Sequence, residues 1–221
     1  MSRVTEQKRK TASFVTYLIV FHLFWMIGFV FWIYPWMKTL GEATLRYALV
    51  NAGVRLLVWV LPVFLYLRYI DRVNPVDYLK LKQNWKRGVA VGVLLSLLNL
   101  FGSMIRFGWP HLNAHAFTWN SVMSTSILIG FVEEIPYRGF MLQKFAEYWG
   151  FWLAAILSSV LFLGMHLPGW ISLHMLRAGA GVNVFVFGFV MAIVFRYTRS
   201  LWAPIITHST NDFLFLVLFH P

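Results

Sequence analysis

The chain is a succession of apolar runs, each close to 20 residues long, separated by short polar segments. Of its 221 residues, 59% are hydrophobic and only 12% are charged. About 20 consecutive apolar residues are enough for a helix to cross the hydrocarbon core of a bilayer. The runs are continuous and do not alternate with polar residues, as the strands of a membrane β-barrel would. The sequence therefore predicts an all-α, polytopic transmembrane helical bundle with about seven to eight spans.

The predicted spans follow the apolar runs, and their bounds are approximate. They are 14–36, 49–69, 89–105, 121–145, 151–170, 182–197 and 201–219. The glycine-rich stretch 178–181 is predicted as the loop that leads into the sixth span.

The positive charge is distributed unevenly between the two predicted sides of the membrane. Most of the 19 lysines and arginines fall on the side of the N terminus, with a dense cluster in the segment 68–87. The other side receives Lys38, Arg46, Arg55, Arg106 and Arg177. Because Lys and Arg concentrate in cytoplasmic loops, we expect a cytoplasmic N terminus and a C terminus on the opposite side.

The formal net charge of +11 could suggest a nucleic-acid partner. In a membrane protein, however, such charge is expected to contact the anionic lipid of the bilayer, so we predict no nucleic acid as a partner. The chain has no cysteine, which excludes disulfides, thiolate ligands and a cysteine nucleophile.

The fourth span carries charges where a membrane helix usually has none. Glu133, Glu134 and Arg138 fall within six residues of an otherwise apolar segment, and a charge at the bilayer centre costs about 2.5–3.5 kcal/mol on insertion scales. Glu134 and Arg138 are four residues apart, so they share a helix face and are predicted to pair. Glu133 points about 100° away and is left free for chemistry. Pro136 is predicted to kink the helix beside Glu133.

Three further polar residues are predicted to lie at the same depth as Glu133. At 1.5 Å of rise per residue, His166, His208 and Asp212 all fall near the middle of the bilayer. His208 and Asp212 are four apart on the seventh span and therefore point the same way, with Asn211 beside them. We expect these groups to meet in one layer.

A carboxylate and imidazoles on separate helices are the groups needed to hydrolyse an amide. The carboxylate can take a proton from water, and imidazole donors can stabilise the developing oxyanion. Proton and ion transporters use similar groups at membrane depth, so a transporter is the rival interpretation. The chain has no His-Glu-x-x-His zinc helix, no Gly-x-Ser-Gly segment and no second aspartate within a span.

The motifs resemble those of the CAAX-protease and bacteriocin-processing family of intramembrane peptidases (CPBP or Abi), which includes the type II CAAX prenyl endopeptidases. Three motifs match in order and spacing: Glu-Glu-x-x-x-Arg at 133–138, Phe-x-x-x-His at 162–166 and His-x-x-x-Asn/Asp at 208–212. The resemblance covers roughly 121–219, and the first three spans match only in being hydrophobic.

The resemblance implies a role for each matched residue. Glu133 and His166 would activate the attacking water, His208 and Asp212 would form the oxyanion-stabilising side, and Glu134 and Arg138 would orient the site. Phe162 and Asn211 are secondary candidates.

Asp212 departs from the family pattern, in which Asn is the more familiar residue at this position. An amide can donate a hydrogen bond to an oxyanion, whereas an ionised carboxylate cannot. Three alternatives follow: Asp212 is protonated, Asn211 takes the donor role, or Asp212 orients His208.

The resemblance leaves the metal open, because the family is often described as metallopeptidases. If zinc is bound, Glu133, His166 and His208 could supply three ligands and leave one position open. A glutamate base with histidine donors needs no metal, and resemblance to the prenyl endopeptidases favours this interpretation, so we predict no cofactor.

We therefore expect a single membrane domain over residues 1–221, with a basic cytoplasmic N-terminal segment at 1–12 and catalytic core helices at 121–219. The predicted function is an intramembrane endopeptidase of the bacterial plasma membrane, which hydrolyses a membrane-associated peptide or protein near the cytoplasmic surface. The alternative is a non-enzymatic protein, either a bacteriocin-immunity scaffold or a proton-coupled transporter.

Overall fold

The computed structural model of the protein describes residues 3–172 and 178–219, and every regular element within these ranges is helical. In chain order the helices are α1 (3–38), α2 (45–70), α3 (Pro75–Tyr78), α4 (Trp85–Phe107), α5 (119–149), α6 (Phe151–Ser172), α7 (Ala178–Thr198) and α8 (202–218). The prediction of an all-α helical bundle is confirmed.

Each of the seven predicted spans coincides with one of the long helices, and α3 is a single additional turn. Among the described residues, five helices are long and apolar enough to cross a membrane, namely α1, α2, α4, α6 and α7. The other two long helices do not meet this description, because α5 contains the charged segment and α8 is shorter. The stretch 178–181 was predicted as a loop, but it forms the first turn of α7. Arg177 lies outside the described residues.

Several helices contain π-helical segments, in which a backbone N–H bonds to the carbonyl five residues earlier. They are Phe24–Ile33, Leu56–Val60, Tyr66–Ile70, Ser121–Ile127, Ile135–Met141 and Leu214–Leu218. In α5 the segment Ile135–Met141 begins directly after Glu134, and Pro136, which has no N–H to donate, lies in its first turn. The disruption that Pro136 predicts beside Glu133 therefore takes the form of a π-helical segment, a feature that is frequent at functional sites.

One end of the bundle, which we call the basic end, gathers the lysine- and arginine-rich loops. There the Lys144 ammonium lies 2.7 Å from Asp71, and the indole of Trp202 donates to the carbonyl of Leu81 at 2.8 Å. These contacts join the end of α5, the start of α8 and the loops around α3.

The other end, which we call the distal end, joins the opposite termini of the same helices. Asn51 in α2 donates to Asn120 in α5 at 2.8 Å. The backbone N–H of Asn113, which follows α4, donates to the carbonyl of Val217 in α8 at 2.9 Å. The long helices therefore alternate in direction between the two ends, as the predicted spans require.

A glycine allows α5 and α8 to approach closely beside the acidic pair. A Cβ atom on Gly130 would contact the backbone carbonyl of Ile205 and would lie 2.6 Å from the hydroxyl of Ser209. Ser209 in turn donates to the carbonyl of Ile127 at 3.1 Å. The absence of a side chain at residue 130 thus lets the two helices contact through their backbones, as small residues do between membrane helices.

We expect the substitution Gly130→Ala to destabilise the protein by about 1–3 kcal/mol, because α8 must move to accommodate the methyl group. Gly53→Ala is the matched control: it makes the same change within a helix, where a Cβ would meet nothing within 4 Å. Thermal unfolding in detergent, followed by helical circular dichroism, measures both. Equal melting temperatures for the two variants would contradict this account of the α5–α8 contact.

Candidate active site

The acidic pair lies in the interior of the bundle. Glu133 is 4% exposed, whereas Glu134 and Arg138 are fully buried. Arg138 Nη1 donates to Glu134 Oε1 at 3.0 Å, so the predicted pairing four residues apart is confirmed. The guanidinium of Arg138 also lies over the ring of Phe162, at 4.1 Å from the ring centroid. Phe162, one of the two secondary candidates, therefore packs against the pair of Arg138 and Glu134.

His208 extends this charged pair to α8. Its Nδ1 lies 2.7 Å from Glu134 Oε1, and its side chain is almost fully buried. Because an ionised carboxylate can only accept, His208 donates from Nδ1, and its Nε2 is left facing Glu133. One carboxylate oxygen of Glu134 thus holds both Arg138 and His208, which fixes the orientation of the imidazole.

His166, on α6, is oriented by its own helix. Its Nδ1 lies 2.7 Å from the carbonyl oxygen of Phe162. A carbonyl can only accept, so this nitrogen donates and Nε2 is turned away from the helix backbone. The side chain is 23% exposed, more than that of either acid.

Glu133 lies between the two imidazoles. Its Oε2 is 3.9 Å from His166 Nε2 and also 3.9 Å from His208 Nε2. This separation is too long for a direct hydrogen bond, and Oε2 is buried with no hydrogen-bond partner among the described residues. Two groups that share one bridging water are typically about 4–4.6 Å apart, so the spacing is close to what a shared water requires.

Asp212 faces the same imidazole nitrogen from one turn along α8. Its Oδ2 lies 3.8 Å from His208 Nε2. Its Oδ1 accepts a hydrogen bond from Asn211 Nδ2 at 3.1 Å, and Asn211 in turn accepts from Asn99 Nδ2 at 2.9 Å. The amide donor of Asn211 is therefore directed at Asp212, and the 3.8 Å between Asp212 Oδ2 and His208 Nε2 is too long for a direct hydrogen bond.

Arg55, on α2, is a member of the cluster that the sequence did not predict. It was assigned to the side opposite the N terminus, but it is largely buried and its Nη1 lies 3.8 Å from Glu133 Oε1. Its Nε donates to Asn51 Oδ1 at 3.3 Å. The signal that could have identified it is this Asn–Arg pair, four residues apart at the start of an apolar span.

The three candidate zinc ligands Glu133, His166 and His208 are not arranged as a metal site. Zinc ligands lie about 2.0–2.2 Å from the ion, and within residues 3–172 and 178–219 no group of three or more His, Asp or Glu residues could hold a metal ion. Two ligand atoms that share one tetrahedral zinc lie about 3.3–3.6 Å apart, so the 3.9 Å from Glu133 Oε2 to each imidazole Nε2 is somewhat longer than such a site requires.

A cavity of about 540 Å³ reaches the two imidazoles from between α4, α7 and α8. His166 and His208 lie at its inner part, and polar side chains such as Asn99, Asn183 and Asn211 line it. The cavity therefore connects the two imidazoles to the surface of the bundle along a path that offers amide hydrogen-bonding groups.

The family comparison matches the part of the chain that carries this cluster. The model of the family described as type II CAAX prenyl endopeptidase, Rce1-like, matches residues 115–214. Over these residues, just under half of the chain, the sequence is similar to the Rce1-like family. All six candidate catalytic residues lie inside the matched segment, so the resemblance given by the motifs is confirmed. With its membrane-length helices and this similarity, the chain is an integral membrane protein.

No curated protein and no solved structure matches the chain. The residues outside the matched segment include α1, α2 and α4, and α2 carries Arg55. The cluster around Glu133 is therefore built in part from helices that the Rce1-like match does not cover.

Proposed function

We propose that this Rce1-like protein is a membrane-embedded endopeptidase that hydrolyses a peptide bond with a water activated by Glu133. The observation that carries the proposal is the position of Glu133 Oε2, which is equally distant from two imidazoles on two other helices. This arrangement can hold one water between a base and two further polar groups.

In the proposed reaction, Glu133 takes a proton from the water as the water oxygen bonds to the carbonyl carbon of the substrate. The tetrahedral intermediate carries its negative charge on the former carbonyl oxygen. The C–N bond then breaks, and the proton held by Glu133 is transferred to the leaving amine. His166, held by the Phe162 carbonyl, fixes the position of the water during this sequence.

His208 would stabilise the oxyanion, and its two carboxylate neighbours support this role. A neutral His208 that donates from Nδ1 has only a lone pair at Nε2, whereas an imidazolium donates from both nitrogens. Glu134 at 2.7 Å and Asp212 at 3.8 Å are placed to stabilise the positive charge of that imidazolium. Glu134 and Arg138 therefore act through the orientation of His208.

We propose a reaction without a metal, since a glutamate base with imidazole donors supplies each required proton transfer. We expect purified protein to contain no stoichiometric zinc and to keep its activity in the presence of a chelator. Elemental analysis and cleavage assays with and without the chelator measure this. Stoichiometric zinc together with loss of activity in the chelator would contradict the metal-free mechanism.

The residues 1–221 would form one membrane domain in the bacterial plasma membrane. The segment 1–12 would be cytoplasmic, and 121–219 would form the catalytic core. The substrate would be a peptide or protein associated with the membrane.

The decisive experiment compares the peptides of cells that produce the wild-type protein with those of cells that produce the Glu133→Gln variant. New peptide ends that depend on Glu133 would support the endopeptidase. If no ends differ and reconstituted liposomes show pH-dependent flux, the protein is a transporter. If neither occurs and a protective phenotype survives replacement of both His166 and His208, the protein is an immunity scaffold.

We expect Arg55→Met to lower the cleavage rate by roughly 10-fold or more, equivalent to about 1.4 kcal/mol, because Glu133 loses its only arginine or lysine partner within 4 Å among the described residues. Arg55→Lys should restore part of the rate, since it keeps the charge. Arg46→Met, at the exposed start of α2, is the control. Steady-state kinetics of the purified variants measure the effect, and a wild-type kcat/KM for Arg55→Met would exclude a role in positioning Glu133.

A further inference from the structure

We infer that the active site opens toward the extracytoplasmic side of the membrane, so that its substrates are peptide segments that emerge from the bilayer on that side. The inference rests on the proposed endopeptidase function and adds which class of peptide can reach it. It differs from the sequence-based expectation of cleavage near the cytoplasmic surface.

The cavity extends from the site to one end of the bundle. Its inner part contains the buried His208, and it continues to Arg106 and Phe107 at the last turn of α4. Both of these residues are exposed, as is Asn183 near the start of α7. The Phe107 ring lies 6.1 Å from the Phe219 ring, at the end of α8 that belongs to the distal end. The mouth of the cavity is therefore at the distal end.

On the side of the basic end, the site is closed by packing. The α5 residues that follow the acidic pair toward the basic end, Ile135 through Met141, are all buried. At Gly139 an added Cβ would lie 2.8 Å from Leu79 and 3.1 Å from Leu201, and both leucines are fully buried. The loops of the basic end thus pack directly on α5 and close the site from that direction.

The exposure of the side chains around the site increases from the basic end toward the distal end. Arg138, which lies on the side of the basic end, is fully buried. The side chains of His166 and Asp212 are 23% and 28% exposed. The cluster is therefore more exposed on the side of the distal end than on the side of the basic end.

The two ends of the bundle differ in charge. The basic end carries most of the lysines and arginines of the described loops and helix ends. They include Arg68, Arg72, Lys80, Lys82, Lys86, Arg87, Arg196 and Arg199. Because positive loops remain in the cytoplasm during insertion, the basic end is the cytoplasmic end. The cavity mouth, at the opposite end, then faces away from the cytoplasm.

This geometry selects a class of substrate. A peptide bond in a cytoplasmic tail would have to pass the closed packing around Gly139 to reach Glu133. A segment that has crossed the membrane, or that leaves a span on the extracytoplasmic side, can enter between α4, α7 and α8. Exported and membrane-anchored peptides fit this description.

Single-cysteine labelling tests the inference, because the chain contains no other cysteine that could react with the maleimide. Asn183→Cys places a thiol at the cavity rim, and Lys82→Cys places one in an exposed loop of the basic end. A membrane-impermeant maleimide is added to intact cells and, separately, to permeabilised cells that produce the full chain. Ser103→Cys, a second cavity position, replaces Asn183→Cys if that variant does not accumulate.

We expect the rim cysteine to react in intact cells and the loop cysteine to react only after permeabilisation. The opposite pattern, equal reaction of both in intact cells, or a rim cysteine that stays unreacted after permeabilisation would each overturn the inference. The labelling does not depend on cleavage, so failure of the proposed enzyme activity and failure of the inferred orientation are distinguishable.

Discussion

Glutamine in place of Glu133 is expected to lower the rate of peptide cleavage by roughly 10²–10⁴-fold, the usual contribution of a general base. The amide keeps the size of the side chain but cannot take a proton from the attacking water. The effect should fall on kcat, because the two imidazoles and the cavity that receives the substrate are unchanged. Rates with a peptide identified from the cellular comparison, measured on purified protein in lipid, provide the test.

Glu147→Gln is the matched control for this substitution. It makes the same chemical change on the same helix, at an exposed residue that contacts Lys144 at 3.1 Å near the basic end. Its cleavage rate should remain close to that of the wild type. If Glu133→Gln cleaves at the wild-type rate while folding normally, Glu133 is not the base and the proposed mechanism is wrong.

The substitution Arg138→Met is expected to destabilise the folded protein by about 3–5 kcal/mol. It removes one partner of a fully buried ion pair and leaves the carboxylate of Glu134 uncompensated in the interior. The π-face of Phe162 also loses its cation. Chemical or thermal unfolding in detergent, compared with the wild type, measures the loss.

The double variant Arg138→Met with Glu134→Gln should recover a large part of this stability, because the remaining group is then neutral. Arg68→Met, at an exposed position on α2, controls for the loss of an arginine and should change stability little. If Arg138→Met alone is as stable as Arg68→Met, the ion pair of Arg138 and Glu134 does not stabilise the folded protein as its burial and geometry indicate.

Contacts within one helix, and the depth of polar residues in the predicted spans, could be predicted from the sequence. Glu134 and Arg138 are four residues apart, and helical geometry alone brings them together. The depth of His166, His208 and Asp212 follows from the rise per residue, so their convergence with Glu133 was also predictable. Local spacing and span boundaries were sufficient for these residues.

The partners that come from other helices could not be predicted in the same way. Arg55 meets Glu133 only because α2 packs beside α5, and its position in the sequence was equally consistent with a place near the membrane surface. The link from Asn99 to Asn211 joins α4 to α8 and has no signature in either segment. Such contacts depend on helix packing, which hydrophobic periodicity does not determine.

The side from which the site is reached also required the structure. Sequence placed the acids and imidazoles near mid-membrane, where both surfaces are equally distant. Only the closed packing around Gly139 and the exposed rim near Arg106 distinguish one surface from the other.

The position of Arg55 has a consequence for any exchange of parts between members of the family. A chimera that received only residues 115–214 would inherit both glutamates, both imidazoles and Asp212. Its Glu133 would face whatever side chain the host supplied from the helix equivalent to α2. Transfer of activity by such a graft would therefore require that the recipient also contribute a guanidinium at that place.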